Sequence, residues 1–323
     1  MNHNILITSA GKRVSLVKQF QGELGKFFPG AKVFTCDREP AMVPAGMVSE
    51  KCFPVSRVGE ENYFQELKDI CRENGVGMVV PTIDTELPVL AAWKEEFKAE
   101  GIHLVVSDSG FIEICRDKRN THLFFKKSGI PFPAPLDKFH PVFPLFAKPY
   151  DGSLSRNIHV IRNQSQLTPE ILEDPKLMFM EYVDPEEYTE YTVDMYYGRD
   201  HRVKSIVPRE RLEVRAGEIS KGITRKNGLV AFLKDRLHDL PGVEGCICMQ
   251  LFYKENEEKV WGIEINPRFG GGYPLSYYAG ADYPAYLIRE HFLGEEIAYS
   301  EDWLDKTLML RYDDEVIVYD AGR

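Results

Sequence analysis

Four short apolar runs separated by helical patterns occupy the first hundred or so residues, and they leave few folds open. The runs are 4–8, 33–35, 76–80 and 102–106, and helical periodicity fills 14–27, 61–74 and 86–99. Strands alternating with helices predict a parallel sheet covered by helices on both faces. The expected fold class is α/β, with a Rossmann-like domain over residues 1–108. The turn after the first run, Ser9-Ala10-Gly11-Lys12-Arg13, meets neither phosphate-binding pattern at a strand end. The dinucleotide fingerprint needs two further glycines, and the Walker motif needs an earlier glycine and a hydroxyl after the lysine. Amide groups at such a turn still suit an anion, and a tight turn without a ligand fits as well.

A helical stretch over 109–128 leads to Gly129-Ile130-Pro131, and short strands are expected at 144–148, 158–162 and 177–182. A second domain, 109–189, is therefore a linker helix and a small α+β lid. The third, 190–323, is an α+β body with strands at 190–197, 203–208, 246–253 and 260–265 and a helix near 282–293. At 323 residues, 43% hydrophobic and 28% charged, the chain has ample core for this division.

The formal net charge is -10 and no cluster of Lys and Arg stands out, which argues against a nucleic-acid partner. The six cysteines are scattered, so neither a disulfide framework nor a zinc site is expected, and Cys246 and Cys248 read as buried strand residues. The N-terminus, Met1-Asn2-His3-Asn4, enters a strand without a leader pattern. No apolar run reaches the ~20 residues that span a bilayer. The expected location is cytoplasmic, with no membrane partner.

Chemistry concentrates in two segments, Cys248-Met249-Gln250-Leu251-Phe252 and Ile263-Glu264-Ile265-Asn266-Pro267-Arg268, joined by a polar turn. As a hairpin centred on Glu257 they set Gln250 opposite Glu264, where Cβ atoms lie ~4.5–5.5 Å apart. Asn266 shares the face of Glu264. Three hard oxygen donors on one face suit Mg²⁺; a polar outer face of an exposed hairpin is the plainer reading. Glycines 270, 271 and 272 follow directly.

Ile-Glu-Ile-Asn-Pro-Arg resembles the metal-binding strand of the ATP-grasp superfamily, including the carbamoyl phosphate synthetase large subunit and biotin carboxylase. The resemblance covers about 110–290, and the first hundred residues match only as a generic preceding domain. It implies metal ligation by Gln250, Glu264 and Asn266, with Arg268 facing the reacting phosphate. Lys118, in Arg116-Asp117-Lys118, and Lys148, in Phe146-Ala147-Lys148-Pro149, are similar to the two ATP lysines, Lys148 also acting in catalysis. Glu181, Tyr182 and Val183 resemble the adenine hinge, and Glu190 the ribose-binding acid, with Glu187 as its competitor. The phosphate loop, Tyr150 to Asn157, is poorer in glycine than the family's, leaving Gly152, Ser153 and Ser155 as donors.

The implied activity is an ATP-dependent carboxylate–amine (C–N) ligase that activates a carboxylate as an acyl phosphate. The implied cofactors are ATP and two Mg²⁺ ions, with Mn²⁺ as a substitute. The partners are small-molecule carboxylate and amine substrates, and a homodimer is left open. Arg209, Arg211, Arg215 and Lys221 are candidates for substrate contact, and a solvated charged strand explains the same run. The alternatives are a non-catalytic ATP-binding regulator of the same fold and a nicotinamide-dependent dehydrogenase using the first domain.

Overall fold

The computed structural model describes residues 2–152, 157–215 and 217–319. Its first sheet holds β1 (Asn4–Thr8), β2 (Val33–Asp37), β3 (Cys52–Pro54), β4 (Val76–Pro81) and β5 (His103–Leu104). The strands are parallel, in the order β3-β2-β1-β4-β5. Ile5, Leu6, Ile7, Val79 and Val80 are all inaccessible to solvent. Such continuous burial is what a sheet with helices on both faces requires. Helices Val14–Phe27, Tyr63–Glu73 and Leu87–Ala99 supply that cover. The strand order reverses between β1 and β4, so a crevice opens at their carboxyl ends.

The helical stretch after this sheet is broken, where the sequence pattern predicts one element. Helices Ser109–Arg116 and Lys118–Lys127 meet at Asp117, which has extended backbone angles. The Asp117 carboxylate accepts from the amide of Arg119 at 2.9 Å, capping the second helix. Such a cap satisfies an amide that the helix start leaves orphaned. The break sets Lys118 on the first turn of a new helix.

A three-stranded antiparallel sheet follows, β6 (Leu145–Pro149), β7 (His159–Ile161) and β8 (Leu177–Glu181), in the order β7-β6-β8. It has its own small core around Leu145, Ala147, Ile161 and Phe179. The third sheet comprises β9 (Thr189–Tyr197), β10 (Val203–Arg215), β11 (Glu218–Thr224), β12 (Gly245–Lys254), β13 (Lys259–Asn266) and β14 (Leu308–Leu310). Its order is β13-β12-β9-β10-β11-β14, all antiparallel. The largest core joins this sheet to the first, with Val17, Phe20, Met249, Phe269 and Tyr283 in one apolar cluster.

Several elements escape the sequence pattern, among them β3, β11 and β14. Helix Gly228–Leu237 is announced only by Asn227, whose side chain accepts from the amide of Leu229. Strand β10 runs seven residues past the expected end at 208, because β11 folds back to pair with it. All six cysteines are free.

Candidate active site

A cavity of about 870 Å³ lies where the three sheets meet, within the size range of small-molecule sites. β12 and β13 form its floor. Gln250 pairs directly with Glu264, and Cys248 with Asn266. The hairpin turns through Glu255–Glu257, and Glu258 takes a left-handed conformation. Gln250, Glu264 and Asn266 all line the cavity. The Asn266 side-chain amide donates to Glu264 at 3.2 Å. Gln250 donates its side-chain amide to Glu190, which leaves its carbonyl oxygen free.

The helix starting at Lys118 lies against β13. Gly262 makes room for it, since a Cβ there would sit 2.7 Å from the Phe125 ring. This approach holds Lys118 Nζ 3.7 Å from the Glu264 carboxylate. The same ammonium donates to the Gly152 carbonyl at 2.6 Å, and the Lys118 amide donates to Tyr150 at 2.9 Å. The first turn of the helix is thereby tied to the loop after β6. Lys148, on β6, is buried and has no ion-pair partner within 4 Å among the described residues. Burial lowers its pKa to about 8; nearby Glu264 raises it and Lys118 lowers it further. Burial opposes the charged form of Glu264, but Lys118 and Lys148 outweigh it and hold the carboxyl below its ordinary value. An ionised carboxylate flanked by a glutamine and an asparagine oxygen is a fitting donor set for a divalent magnesium-like ion.

The apolar end of the cavity is bounded by Phe146, Val160, Met180, Tyr182 and Ile263, from the small sheet and β13. Glu181 and Val183 line the same slot. The Glu181 carboxylate itself is engaged by the Ala134 amide at 3.0 Å, so its side chain braces the connection. Glu190 faces the cavity and pairs with Arg211 at 3.3 Å. Glu187 stands outside it and pairs with Lys254 at 3.3 Å.

At the other end Arg268 donates to Asp84 at 2.6 Å and lies 3.4 Å from the Asn266 side-chain oxygen. Burial opposes the Arg268 charge, and Asp84 more than restores it. Asp84 belongs to Thr82-Ile83-Asp84-Thr85, the loop leaving β4, and Ser9 to Arg13 leave β1 beside it. The sequence analysis did not single out Asp84. A polar cluster directly after an apolar strand was the signal available.

The four candidate substrate cations separate. Arg209 and Arg211 line the cavity. Arg209 is only 1% exposed, and its Nε lies 2.7 Å from Asp194, itself fully buried. Its guanidinium is thus consumed by an internal ion pair. Arg215 and Lys221 lie outside the cavity, contrary to expectation. They are exposed and pair with Asp313 and Glu213. Gly152 lines the cavity; Ser153 and Ser155 lie outside the described residues.

Comparisons with known proteins agree with this arrangement. Residues 5–105 match the family model for the PylC-like N-terminal domain. Residues 173–312 match the model for an ATP-grasp domain in the biosynthetic pathway with the Ter operon. No curated protein matches the chain by sequence. Among solved structures, the biotin carboxylase domain of Hydrogenobacter thermophilus 2-oxoglutarate carboxylase, in complex with MgADP, ADP and bicarbonate, superposes with a TM-score of 0.71. The identity is 15%, over 94% of this chain and 73% of that one. N5-carboxyaminoimidazole synthetase from Staphylococcus aureus, complexed with ADP, gives 0.67 at 14% identity, over 95% and 79%. L-amino acid ligase from Bacillus licheniformis gives 0.65 at 17%, over 89% and 73%. The fold is the ATP-grasp fold, and residues 173–312 match an ATP-grasp family model.

Proposed function

We propose that the protein is an ATP- and Mg²⁺-dependent carboxylate–amine ligase. One observation carries this reading: Gln250, Glu264 and Asn266 converge beneath two lysines, one of them buried and unpaired, at the end of an apolar slot. The slot takes the adenine. Lys118 and Lys148 meet the phosphates, and Glu190 reaches the ribose once it exchanges Arg211 or Gln250 for a hydroxyl. Gln250, Glu264 and Asn266 would hold Mg²⁺, which neutralises charge developing on the transferred phosphoryl group.

An acceptor carboxylate oxygen attacks the γ-phosphorus while the bond to the β,γ-bridging oxygen breaks and ADP leaves. Arg268, held by Asp84, faces the three equatorial oxygens. An amine nitrogen then forms the C–N bond at the acyl carbon, inorganic phosphate leaves with the bonding electrons, and the amine's proton passes to phosphate or solvent. The cleft between the small sheet and the floor shelters the acyl phosphate from water.

The test has two stages. Calorimetry with a non-hydrolysable ATP analogue and Mg²⁺ should show binding at or below millimolar concentration. A matrix of carboxylic acids and amines should then contain pairs that raise ADP release above the rate without acceptor. Nucleotide binding with no acid able to stimulate ADP release would favour the regulator, and absence of nucleotide binding would overturn both readings.

A further inference from the structure

The cations of the cleft are nearly all paired: Arg268 with Asp84, Arg211 with Glu190, Arg209 with Asp194 and Lys118 with Glu264. Lys148 is unpaired because it awaits phosphate. Arg116, which is exposed, and Arg13, which is half-buried at the opposite end, are the other lining cations without an ion pair among the described residues. Arg13 lines the cavity from the turn after β1, and no carboxylate lies within 4 Å of its guanidinium among the described residues. Glu218 is near and attracts Arg13, although one of its carboxylate oxygens already serves both Lys12 at 3.5 Å and Arg311 at 3.0 Å.

Holding a charged guanidinium here is unfavourable on balance. Burial and the positive charge of Arg268 work against it, and the attraction of Glu218 does not fully offset them. The backbone nevertheless gives it space. A Cβ on Gly271 would lie 2.9 Å from Arg13 Nη1, so the glycine leaves room for the guanidinium in this position. The amides of Gly11 and Lys12, in the same turn, donate to no protein acceptor among the described residues. Ser9 has φ of +49°, a local strain for a residue other than glycine and of the sort that clusters at ligand-binding loops.

Position decides what Arg13 serves. From Glu264 and Asn266 the chain passes Arg268 and reaches Gly271 beneath Arg13, so Arg13 stands beyond Arg268 as seen from the metal ligands. A carboxylate undergoing phosphorylation must meet the γ-phosphate on the near side of Arg268. Resting on the ligase reading above, we propose that Arg13 anchors a second anionic group on the acceptor, a carboxylate or a phosphate ester not consumed in the reaction. The acceptor class is then dianionic: a dicarboxylate, or a carboxylate bearing a phosphate. A guanidinium fork suits both groups through paired N–H···O bonds.

The experiment compares the wild type with Arg13→Gln by thermal shift and calorimetry, at saturating Mg²⁺ and non-hydrolysable ATP analogue. The probes are succinate, phosphoglycolate and, as monoanion control, butyrate. Wild type should bind succinate or phosphoglycolate at least tenfold more tightly than butyrate, and which of the two wins identifies the group. Arg13→Gln should abolish that preference and bind the nucleotide within twofold of wild type. Without acceptor, the circular dichroism of the variant should match that of wild type. Equal binding of the three probes to wild type, no binding of any, or an unchanged preference in the variant would each overturn the proposal. Loss of nucleotide binding by wild type would instead remove the ligase reading.

Discussion

Arg268 and Asp84 are 184 residues apart in sequence and share a 2.6 Å hydrogen bond across the seam between the parallel sheet and the body. This contact orients the guanidinium toward the end of the cavity that holds Asn266. Asp84→Asn keeps the volume and removes the charge. We expect kcat to fall at least tenfold while affinity for the ATP analogue stays within twofold. Stability should drop by about 1–3 kcal/mol, the range for a buried donor left poorly satisfied. A fall in analogue affinity equal to the fall in kcat would show Asp84 acting on nucleotide binding instead of on Arg268.

Lys148 gives a pH dependence with a definite sign. Its pKa in the folded protein is about 8, against 10.5 for an unperturbed lysine. Between these values the unfolded chain still holds the proton that the folded one has released, so the Lys148 contribution to stability rises with pH. Below pH 8 both states are protonated and the burial penalty is constant. Chemical denaturation of the nucleotide-free protein from pH 7.5 to 10 should show this rise relative to Lys148→Met, which lacks it. Phosphate oxygens favour the charged amine, so analogue affinity should weaken as pH climbs through about 8. The variant should bind roughly tenfold to a hundredfold more weakly at pH 7, as expected for a lost charge-assisted hydrogen bond. Parallel pH curves for the two proteins would refute the assignment.

Glu264→Gln and Asn266→Ala should impair turnover far more than folding. Each oxygen sees charge grow nearby as the phosphoryl group transfers, and losing one oriented charge stabiliser costs ~2–4 kcal/mol of barrier. Circular dichroism and melting temperature should stay close to wild type. Collapse of the fold in both variants would mark these residues as structural.

Arg209 is expected to behave in the opposite way. Asp194 also accepts from Ser276 at 2.6 Å, so removing Arg209 strands a buried carboxylate. Arg209→Met should lower stability by about 3–5 kcal/mol, the cost of breaking a buried pair from one side. Gly272→Ala should destabilise through the same guanidinium, because a Cβ there would lie 2.1 Å from Arg209 Nη1. Urea unfolding measures both. Wild-type stability with lost activity in Arg209→Met would return Arg209 to the list of substrate contacts.

The sequence by itself determined what depends on local pattern. Unbroken apolar runs and helical periodicity set the strands and helices of the first domain, because burial on both faces of a parallel sheet demands such runs. The pairing of Gln250 with Glu264 agrees with the expectation, but the turn's own register, Lys254 with Lys259 through Leu251 with Gly262, would set Ile263 opposite Gln250. An irregularity between Gln250 and Leu251 brings Glu264 there instead. Lys148 stood out as a lysine inside an apolar strand. Tertiary structure alone decided the rest. Asp84 and Arg13 reach the cavity only because β1 and β4 lie side by side, a neighbourhood that no local pattern encodes. Arg209, Arg211 and Arg215 share parity along β10, yet only the first two face the cavity. Pairing with β9 ends at Glu210, and the register with β11 shifts after Arg211. A strand keeps its alternation of faces only while its ladder is regular, so Arg215 turns to Asp313, and the fate of each arginine rests with its neighbours in space.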